Sequence, residues 1–395
     1  MREFRPISAA ERTAFDRIRQ YAFHAEDGPH VTDAGEDGDD HPPIGTRYGY
    51  FDEEKLASIC IHYTFEMRVR GEWTTVGGHG AVATPPERRR EGNVRRMLRE
   101  SLRTFEVVPL VTLWPFSTAF YQQFGWATAN EITRYSVPPE TLAGVSEEPG
   151  EFRPVEPDDW RDLRKSHLAA GRGETLSMRR SEQWWRRRIF HEWGEDRRHA
   201  YAYYRDDTPA GYVVYTVERD DTDELDVKYH GARDHAAYRA VLGFLGDHDS
   251  QVDSVSFARP GDSVLFDTLG DPQAADVELL PGPMVRPTDV PAALEAIPYP
   301  DGLDERVTLS VDDPLLPEND GTYELLVEDG DGSCRSVTAD APDVTVGVGP
   351  LSRLVIGARS ADTLATVGDL TADPATRETL AELFPSERVF LREFF

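Results

Sequence analysis

The chain has 395 residues, of which 39% are hydrophobic and 10% aromatic. This composition can bury several cores and excludes a disordered chain, and the length predicts two or three domains. The 43 basic and 72 acidic residues give a formal net charge of −29. An acidic excess of this size repels phosphate backbones and anionic lipid, so nucleic acids and membranes are disfavoured as partners.

The basic residues are nearly all arginine, since only Lys55, Lys165 and Lys228 are lysines. An acid-rich, lysine-poor surface suits molar salt, where the Debye length falls to about 3 Å and self-repulsion costs little. The composition therefore predicts a protein of a halophile-like proteome. A genome-wide bias that replaces lysine with arginine is the alternative.

Targeting signals are absent from the sequence. Cys60 and Cys334 stand alone without metal-type spacing, and the first residues contain no apolar segment of the kind that directs export. No run of 18 apolar residues occurs, which argues against a membrane span. We expect a cytoplasmic protein.

A near-repeat predicts two similar modules. The segment Glu3–Ile7 reads EFRPI and the segment Glu151–Val155 reads EFRPV. Each is followed by residues that cap a helix, at Ser8–Glu11 and at Asp158–Arg161. A linker rich in proline and glycine separates the modules, and the pattern changes again near Leu280–Met284. The expected domains are residues 1–148, 149–284 and 285–395.

The first module reads as strands at 48–51, 56–63 and 75–84, followed by a helix over 92–105. Between the last strand and the helix lies a loop of arginine and glycine, residues 85–92. Amides at a helix N-terminus bind anionic oxygens, and arginines add charge-assisted hydrogen bonds, so this loop is predicted to cradle a pyrophosphate. An ordinary solvated helix cap is the alternative.

The loop and a second fragment resemble the GNAT N-acetyltransferases. Arg89-x-x-Gly92-x-Val94 is similar to the acetyl-CoA signature of that family, with valine where glycine or alanine is usual. A strand at 111–114 and a helix start at Ser117 precede Phe120–Trp126, read Phe-Tyr-x-x-Phe-Gly-Trp, in which Gly125 is expected to end a short helix in the left-handed conformation. The fragment resembles the GNAT segment that ends near the departing thiol; core packing of its aromatic rings is the other interpretation.

The middle module lacks a second phosphate loop. Its strand at Leu225–Gly231 leads into Asp234–Arg239, where acidic residues replace the arginines. We expect this module to act as scaffold and not to hold a second CoA. Its Trp184–Trp185 pair beside Arg186–Arg188 could bind nucleic acid, but the acidic surroundings favour buried tryptophans and arginines paired with Glu182 and Glu192.

The last part of the chain predicts a third domain of mixed α and β structure. Strands are expected at 308–311, 323–327, 343–346 and 354–356, helices at 363–367 and 374–384, and an apolar terminal segment at 389–395. The order of all three parts resembles the Eis (enhanced intracellular survival) family. Within it, Val290–Leu294, Val311–Pro317 and the final Phe395 are similar to that family's third domain.

This resemblance implies an α/β fold, with α+β parts: two tandem GNAT-type domains, each a mixed sheet flanked by helices, and a smaller sterol-carrier-like domain. It implies acetyl-CoA-dependent transfer of an acetyl group to a primary amine of the aminoglycoside, polyamine or lysine type, in a direct ternary complex and without a metal. It implies a homo-oligomer, often a hexamer. Tyr121 matches the general acid, and Phe395 supplies the α-carboxylate that acts as general base. The residues matched to acetyl-CoA binding are Val82, Ala83, Thr84, Arg89, Arg90, Glu91, Gly92, Asn93, Val94, Arg95, Phe116 and Ser117.

Elementary acid–base chemistry supports these roles unevenly. A tyrosine with a pKa of about 10 can protonate a departing thiolate whose pKa is about 8.5. An α-carboxylate with a pKa of about 3.5 is a weak base for an ammonium group of pKa about 10. Burial of the chain end must therefore reduce the difference between these two pKa values. A water relay for the proton would make up for the remaining difference.

Two further interpretations remain open. The stretch from His24 to His41 gathers histidines and acids, and we expect an acidic loop at the rim of the amine pocket in preference to a metal site. The whole chain could also be a non-catalytic ligand-binding protein that uses its third domain, with the GNAT modules as scaffold. An intact phosphate cradle and Tyr121 favour the enzyme.

Overall fold

A computed structural model describes residues 2–28, 44–105, 107–146, 148–191, 197–219, 222–261 and 264–395. The chain forms two compact units. The first unit comprises Met1–Ala129, Pro283–Glu387 and Glu393–Phe395, and the second comprises Asn130–Gly282 and Arg388–Arg392. None of the described helices is long and apolar enough to cross a membrane.

The described strands are β1 (Arg2–Pro6), β2 (Thr46–Asp52), β3 (Lys55–Val69), β4 (Glu72–Ala83), β5 (Leu110–Leu113), β6 (Ala127–Thr128), β7 (Glu131–Val137), β8 (Glu151–Pro154), β9 (His199–Arg205), β10 (Thr208–Arg219), β11 (Asp223–Ala232), β12 (Ser254–Arg259), β13 (Asp276–Pro281), β14 (Met284–Pro287), β15 (Asp304–Asp312), β16 (Gly321–Glu328), β17 (Asp331–Ser336), β18 (Val344–Gly347) and β19 (Leu370–Thr371). The described helices are α1 (Arg12–Phe23), α2 (Asn93–Arg103), α3 (Thr118–Gln122), α4 (Pro139–Leu142), α5 (Trp160–Ala170), α6 (Glu182–Trp184), α7 (His235–Gly246), α8 (Leu265–Thr268), α9 (Val290–Glu295), α10 (Val348–Val355), α11 (Ala361–Val367) and α12 (Pro374–Leu383).

The first sheet has seven strands in the order β1-β2-β3-β4-β5-β14-β6. Only β4 and β5 pair in parallel, and the other neighbours are antiparallel. Helix α2 packs on this sheet because Met97, Leu98 and Leu102 lie on one helical face and are almost fully buried. The arrangement sets the N-terminus of α2 beyond the end of β4, where the arginine loop connects them.

Strand β4 carries a bulge just before that loop. Ile59 pairs with Ala83 and Ile61 pairs with Gly80, so two residues of β4 face one residue of β3. Ala81 accommodates the extra residue with a φ of 49°. A bulge of this kind bends a strand and redirects its end.

The second sheet repeats the plan of the first, in the order β13-β7-β12-β11-β10-β9-β8. Strands β11 and β12 are its parallel pair, and α7 follows β11 as α2 follows β4. The near-repeat explains the likeness, because β1 and β8 each lead through a capped 3₁₀ turn into a helix, α1 or α5. Two tandem modules with mixed sheets are therefore confirmed.

The tryptophan pair of the middle module is buried, as predicted. Trp184 is 3% exposed and Trp185 is fully buried. Arg186 donates from Nε to Glu182 over 2.9 Å, which confirms one predicted ion pair. The other predicted partner, Glu192, lies outside the described residues.

The third sheet has five strands in the order β17-β16-β15-β18-β19 and carries α9 to α12. The strand predicted at Leu354–Ile356 is wrong, since Leu354 and Val355 end α10 and Ile356 is its C-cap. Leu351, Leu354 and Val355 are fully buried, and their spacing of three and four places them on one helical face. That helical period outweighs the β propensity of three consecutive branched residues.

The strands divide between the first two sheets near residues 129–131, and β14 returns to complete the first sheet. The domain limits at 148/149 and 284/285 remain a prediction.

Candidate active site

The first unit contains a cavity of about 720 Å³ between the end of β4, the N-terminus of α2, and helices α3 and α1. It is lined by Ala22, Phe23, Val82, Ala83, Thr84, Arg88, Arg89, Arg90, Gly92, Asn93, Val94, Arg95, Phe116, Phe120, Gln123 and Phe124. The residues predicted for acetyl-CoA binding are thus brought together here, apart from Glu91 and Ser117. Glu91 accepts a hydrogen bond from Asn93 Nδ2 over 3.2 Å, and Ser117 caps α3.

One wall of the cavity lies where β4 continues beyond the end of its parallel neighbour β5. The ladder between β4 and β5 runs from the pair Val76 and Leu110 to the pair His79 and Leu113. Beyond His79, residues Gly80–Ala83 continue past the end of β5. The backbone groups on that edge of β4 are therefore positioned to pair with a bound chain in place of a strand.

The loop at the head of α2 is shaped by two residues in the left-handed conformation. Arg90 has a φ of 64° and Gly92 a φ of 75°, and glycine occupies such a position without steric cost. Gly92 is the N-cap of α2, and within the described part of the chain no side-chain cap hydrogen bond is made there. Those amides and the positive end of the helix dipole are left for an anion.

Side chains from the loop and from the first turn of α2 hold this shape. Arg89 donates from Nε to the carbonyl of Thr84 over 3.1 Å, and Asn93 donates to the carbonyl of Arg88 over 3.1 Å. Arg96 donates to the carbonyl of Glu91 over 2.8 Å. The loop is therefore braced before any ligand binds, and it forms a cluster of cations in a chain of net charge −29. A preformed cluster of positive charge suits the diphosphate of CoA.

Tyr121 lies on α3 with only 3% of its surface exposed. Its ring packs edge-on against Phe116, Phe120 and Trp126, with centroids 5.2–6.1 Å away. Burial raises the pKa of Tyr121 above its ordinary value, so the phenol stays protonated. Gly125 ends the turn after α3 with a φ of 83°, as predicted from its position.

The last residue of the sequence inserts against β3 and β4. Phe395 is 8% exposed, and its ring centroid lies 4.7 Å from that of Phe65 and 5.5 Å from that of Tyr63. A Cβ atom placed on Gly78 would lie 2.9 Å from the Phe395 ring, and one placed on Gly80 would lie 3.5 Å from its carboxyl carbon. Gly78 thus makes room for the ring of Phe395, and Gly80 makes room for its carboxyl carbon.

The preceding residue, although part of the predicted apolar terminal segment, is exposed. Phe394 is 65% exposed and leans on Trp114, with ring centroids 5.4 Å apart. Trp114 donates from Nε1 to the carbonyl of Glu393 over 2.7 Å. That bond fixes the backbone just before Phe395 while the Phe394 ring points outward.

Sequence reasoning missed a buried polar cluster under β4. His62 and His79 each contact the hydroxyl of Ser101 through Nε2, over 2.6 Å and 2.5 Å. A hydroxyl can donate to one ring nitrogen and accept from the other. Burial lowers the pKa of His62 to about 3 and that of His79 well below its ordinary value, so both rings are neutral. Single histidines inside apolar strands gave no signal of this pairing.

The cavity also has walls that sequence reasoning assigned elsewhere. Ala22 and Phe23 come from the end of α1, which carries no motif. Phe120 and Phe124 belong to the fragment Phe120–Trp126, where the spacing of the aromatic residues was their only signal in the sequence.

The equivalent helix of the middle module is closed to anions by its own side chain. Asp234 caps α7 by accepting a hydrogen bond from the amide of Ala237 over 2.9 Å. The same carboxylate pairs with Arg205 over 2.5 Å. A phosphate at this helix would meet a carboxylate instead of free amides, in line with the expected scaffold role.

The stretch from His24 to His41 was the sequence's candidate for a metal site. Its residues 29–41 lie outside the described part of the chain. Among the residues that are described, no three histidine, cysteine or carboxylate side chains gather closely enough to hold a metal ion.

Comparisons with known proteins agree with this architecture. Residues 3–129 and residues 176–287 each match a family model described as an acetyltransferase (GNAT) domain, and residues 290–392 match one described as a sterol carrier protein domain. An uncharacterized N-acetyltransferase from Streptomyces avermitilis is 26% identical over 346 residues, which is 81% of each chain.

Solved structures show the same fold over the whole length of both chains. A GCN5-related N-acetyltransferase from Anabaena variabilis superposes with a TM-score of 0.85 at 20% identity. Eis1 from Mycobacterium abscessus superposes with a TM-score of 0.77 at 23% identity. In each case 100% of both chains is covered. With two acetyltransferase (GNAT) domains followed by a sterol carrier protein domain, the chain is an acyltransferase of the GNAT type.

Proposed function

We propose that this chain transfers the acetyl group of acetyl-CoA to a primary amine, in a direct ternary complex at the first GNAT domain. The observation that carries the proposal is the cavity of about 720 Å³, where the braced arginine loop, the N-terminus of α2 and the unpaired end of β4 meet. Acetyl-CoA supplies an activated thioester. The protein residues supply binding, orientation and proton transfer.

The loop residues Arg89–Arg95 hold the diphosphate, with Gly92 allowing close approach of the backbone. Val82, Ala83 and Thr84 pair with the pantetheine arm along the edge of β4, and Phe116 and Ser117 lie on the far side. Amides near the bulge at Ala81 are placed to donate to the thioester oxygen as negative charge develops there.

Tyr121 serves as the general acid. Its buried, protonated hydroxyl has a proton to give to the departing thiolate, and the α3 turn holds it at one position. Replacing the tyrosine with phenylalanine keeps the packing and removes only the proton donor.

The α-carboxylate of Phe395 serves as the general base, directly or through one water. Its carboxyl carbon lies beside Gly80, and the ring of the same residue packs against Tyr63 and Phe65, which anchors the chain end at this strand.

The two cysteines favour direct transfer of the acetyl group to the amine and argue against an acyl-cysteine intermediate. Burial raises the pKa of the Cys60 thiol to about 12, and Cys334 has a pKa raised to about 12 in the third domain. Thiols with such pKa values are not nucleophiles at neutral pH.

The acceptor belongs to the same proposal: an amine of the aminoglycoside, polyamine or lysine type. A net charge of −29 attracts polycations to the surface. We further propose that the enzyme works as a homo-oligomer in a saline cytoplasm.

Thiol release from acetyl-CoA in molar salt tests the proposal. Purified protein is assayed with and without a panel of polyamines, aminoglycosides and lysyl peptides, beside Tyr121→Phe and a chain lacking Phe395. We expect amine-dependent release that falls in both variants while acetyl-CoA binding by calorimetry is retained. A folded protein that binds acetyl-CoA but releases no thiol with any amine would favour a non-catalytic binding protein.

A further inference from the structure

A fully buried arginine on β14 reaches the turn that follows Tyr121. Arg286 has no exposed surface, and it donates from Nη1 to the carbonyl of Phe124. Its Nη2 donates to the carboxylate of Asp313, and its Nε donates to the carbonyl of Pro287 over 3.1 Å. The guanidinium therefore joins three stretches of chain that are distant in sequence.

The carboxylate partner is equally well held, from the third domain. Oδ1 of Asp313 accepts from the amides of Leu315 and Leu316 over 2.9 Å and 3.0 Å. Oδ2 accepts from Asn319 Nδ2 over 3.1 Å as well as from Arg286. A buried ion pair with every oxygen bonded is rigid, and losing one partner leaves an uncompensated charge.

The turn that Arg286 holds is the one that carries Tyr121. The amides of Phe124 and Trp126 both donate to the carbonyl of Tyr121, over 3.0 Å and 3.3 Å. The guanidinium of Arg286 also lies 5.1 Å from the centroid of the Trp126 ring, which packs on Tyr121. Backbone and ring contacts thus both lead from the arginine to the phenol.

Space around this contact is fully used. A Cβ atom placed on Gly125 would lie 2.7 Å from Nη1 of Arg286 and 2.5 Å from Val348 of α10. The turn cannot move toward the third domain without a clash. Loss of the guanidinium would leave a void on one side of the turn and remove the hydrogen bond to Phe124.

We propose that the buried Arg286–Asp313 pair is a positioning device for Tyr121, through which the sterol carrier domain sets the place of the general acid. The proposal rests on the function proposed above, since it gives Tyr121 a role in proton transfer. It assigns the third domain a share in catalysis that requires no ligand of its own.

A second buried arginine provides the matched control. Arg70 is 8% exposed and donates to the carbonyls of Val355 and Leu354 over 2.6 Å and 2.9 Å. It also joins the first GNAT domain to the third domain, but from the turn between β3 and β4. Arg70→Met therefore weakens the attachment of the same two domains without touching the Tyr121 turn.

The test compares Arg286→Met/Asp313→Asn, which removes both charges together, with Arg70→Met and Arg286→Lys. We expect kcat to fall about 100-fold in the first variant, because misplacing a catalytic group by about 1 Å costs that much. KM for acetyl-CoA should change less than threefold. In a Tyr121→Phe background the same double change should cost no further activity, and Arg286→Lys should recover part of the loss. Arg70→Met should lower the melting temperature while keeping kcat.

A spectroscopic readout keeps the test independent of turnover. Protein labelled with 3-fluorotyrosine gives several ¹⁹F resonances. The resonance that disappears in Tyr121→Phe is assigned to Tyr121. We expect this resonance to shift and broaden in Arg286→Met/Asp313→Asn and to stay in place in Arg70→Met. An unchanged Tyr121 resonance, or an equal loss of kcat in Arg70→Met, would overturn the proposal. If the parent protein releases no thiol, the proposed function fails, and the resonance still decides whether the pair positions Tyr121.

Discussion

Gly80 offers the sharpest perturbation of the seat of the terminal carboxylate. A Cβ atom at this position would lie 2.7 Å from Cε2 of Tyr63 and 3.5 Å from the carboxyl carbon of Phe395. The first distance is too short for a real contact, and Tyr63 is only 3% exposed, so the ring must move. Gly80→Ala should therefore shift the aromatic wall against which Phe395 packs.

Forcing one methyl group into a packed site costs about 1–3 kcal/mol. If that strain displaces the carboxylate by about 1 Å, kcat should fall about 100-fold. KM for acetyl-CoA should hardly change, because the arginine loop is separate from this seat. Steady-state thiol release, with the melting temperature measured in parallel, gives all three quantities.

Two controls separate the seat from general damage. Gly270→Ala adds a methyl group where no atom lies within 4 Å, so its kinetics should match those of the parent. In a chain that lacks Phe395, Gly80→Ala should cause no additional loss of kcat. Full activity in Gly80→Ala together with a lowered melting temperature would contradict the role of this seat in catalysis, since the aromatic wall would have moved without any loss of kcat.

Three further outcomes are expected. Arg90→Ala should raise KM for acetyl-CoA about tenfold at low salt and less in molar salt, because salt screens an exposed charge-assisted hydrogen bond. An effect of the substitution on KM that does not depend on salt would contradict a contact between Arg90 and phosphate. Gly92→Ala should cost about 1–2 kcal/mol of stability from its left-handed backbone and weaken acetyl-CoA binding by calorimetry, and unchanged binding would argue against the loop as the cradle. His62 and His79 have depressed pKa values in the folded state. Below about pH 6.5 the unfolded chain therefore binds more protons than the folded chain. The free energy of unfolding should fall by up to about 1.4 kcal/mol per pH unit for each ring as the pH drops. Denaturant unfolding between pH 7 and pH 5 measures this slope, which should be shallower in His62→Gln/His79→Gln; an identical slope would show that other groups control it.

Local patterns predicted much of the fold and of the candidate site. The repeated EFRP segments marked two modules, and the loop from Arg88 to Gly92 marked the head of α2, because capping, glycine and helical period are all local features. The error at Leu354–Ile356 arose where branched residues with high β propensity sit on a buried helical face.

Long-range partners could not be found in the same way. Nothing near Arg286 in the sequence indicates Asp313 or the carbonyl of Phe124, since that cluster depends on β14 returning to the first sheet. The exposed ring of Phe394 likewise depends on Trp114 holding the backbone of Glu393. Such contacts follow from the tertiary fold, and the sequence supplies only residue types.

The carboxylate of Phe395 is proposed to take part in amine acetylation at the first GNAT domain. The most direct measurement is thiol release by protein prepared with a C-terminal amide, which keeps Phe395 and removes only the negative charge. We expect the amidated protein to bind acetyl-CoA as tightly as the parent and to lose at least 90% of its amine-dependent release. Equal release by the amidated and parent proteins would contradict the claim.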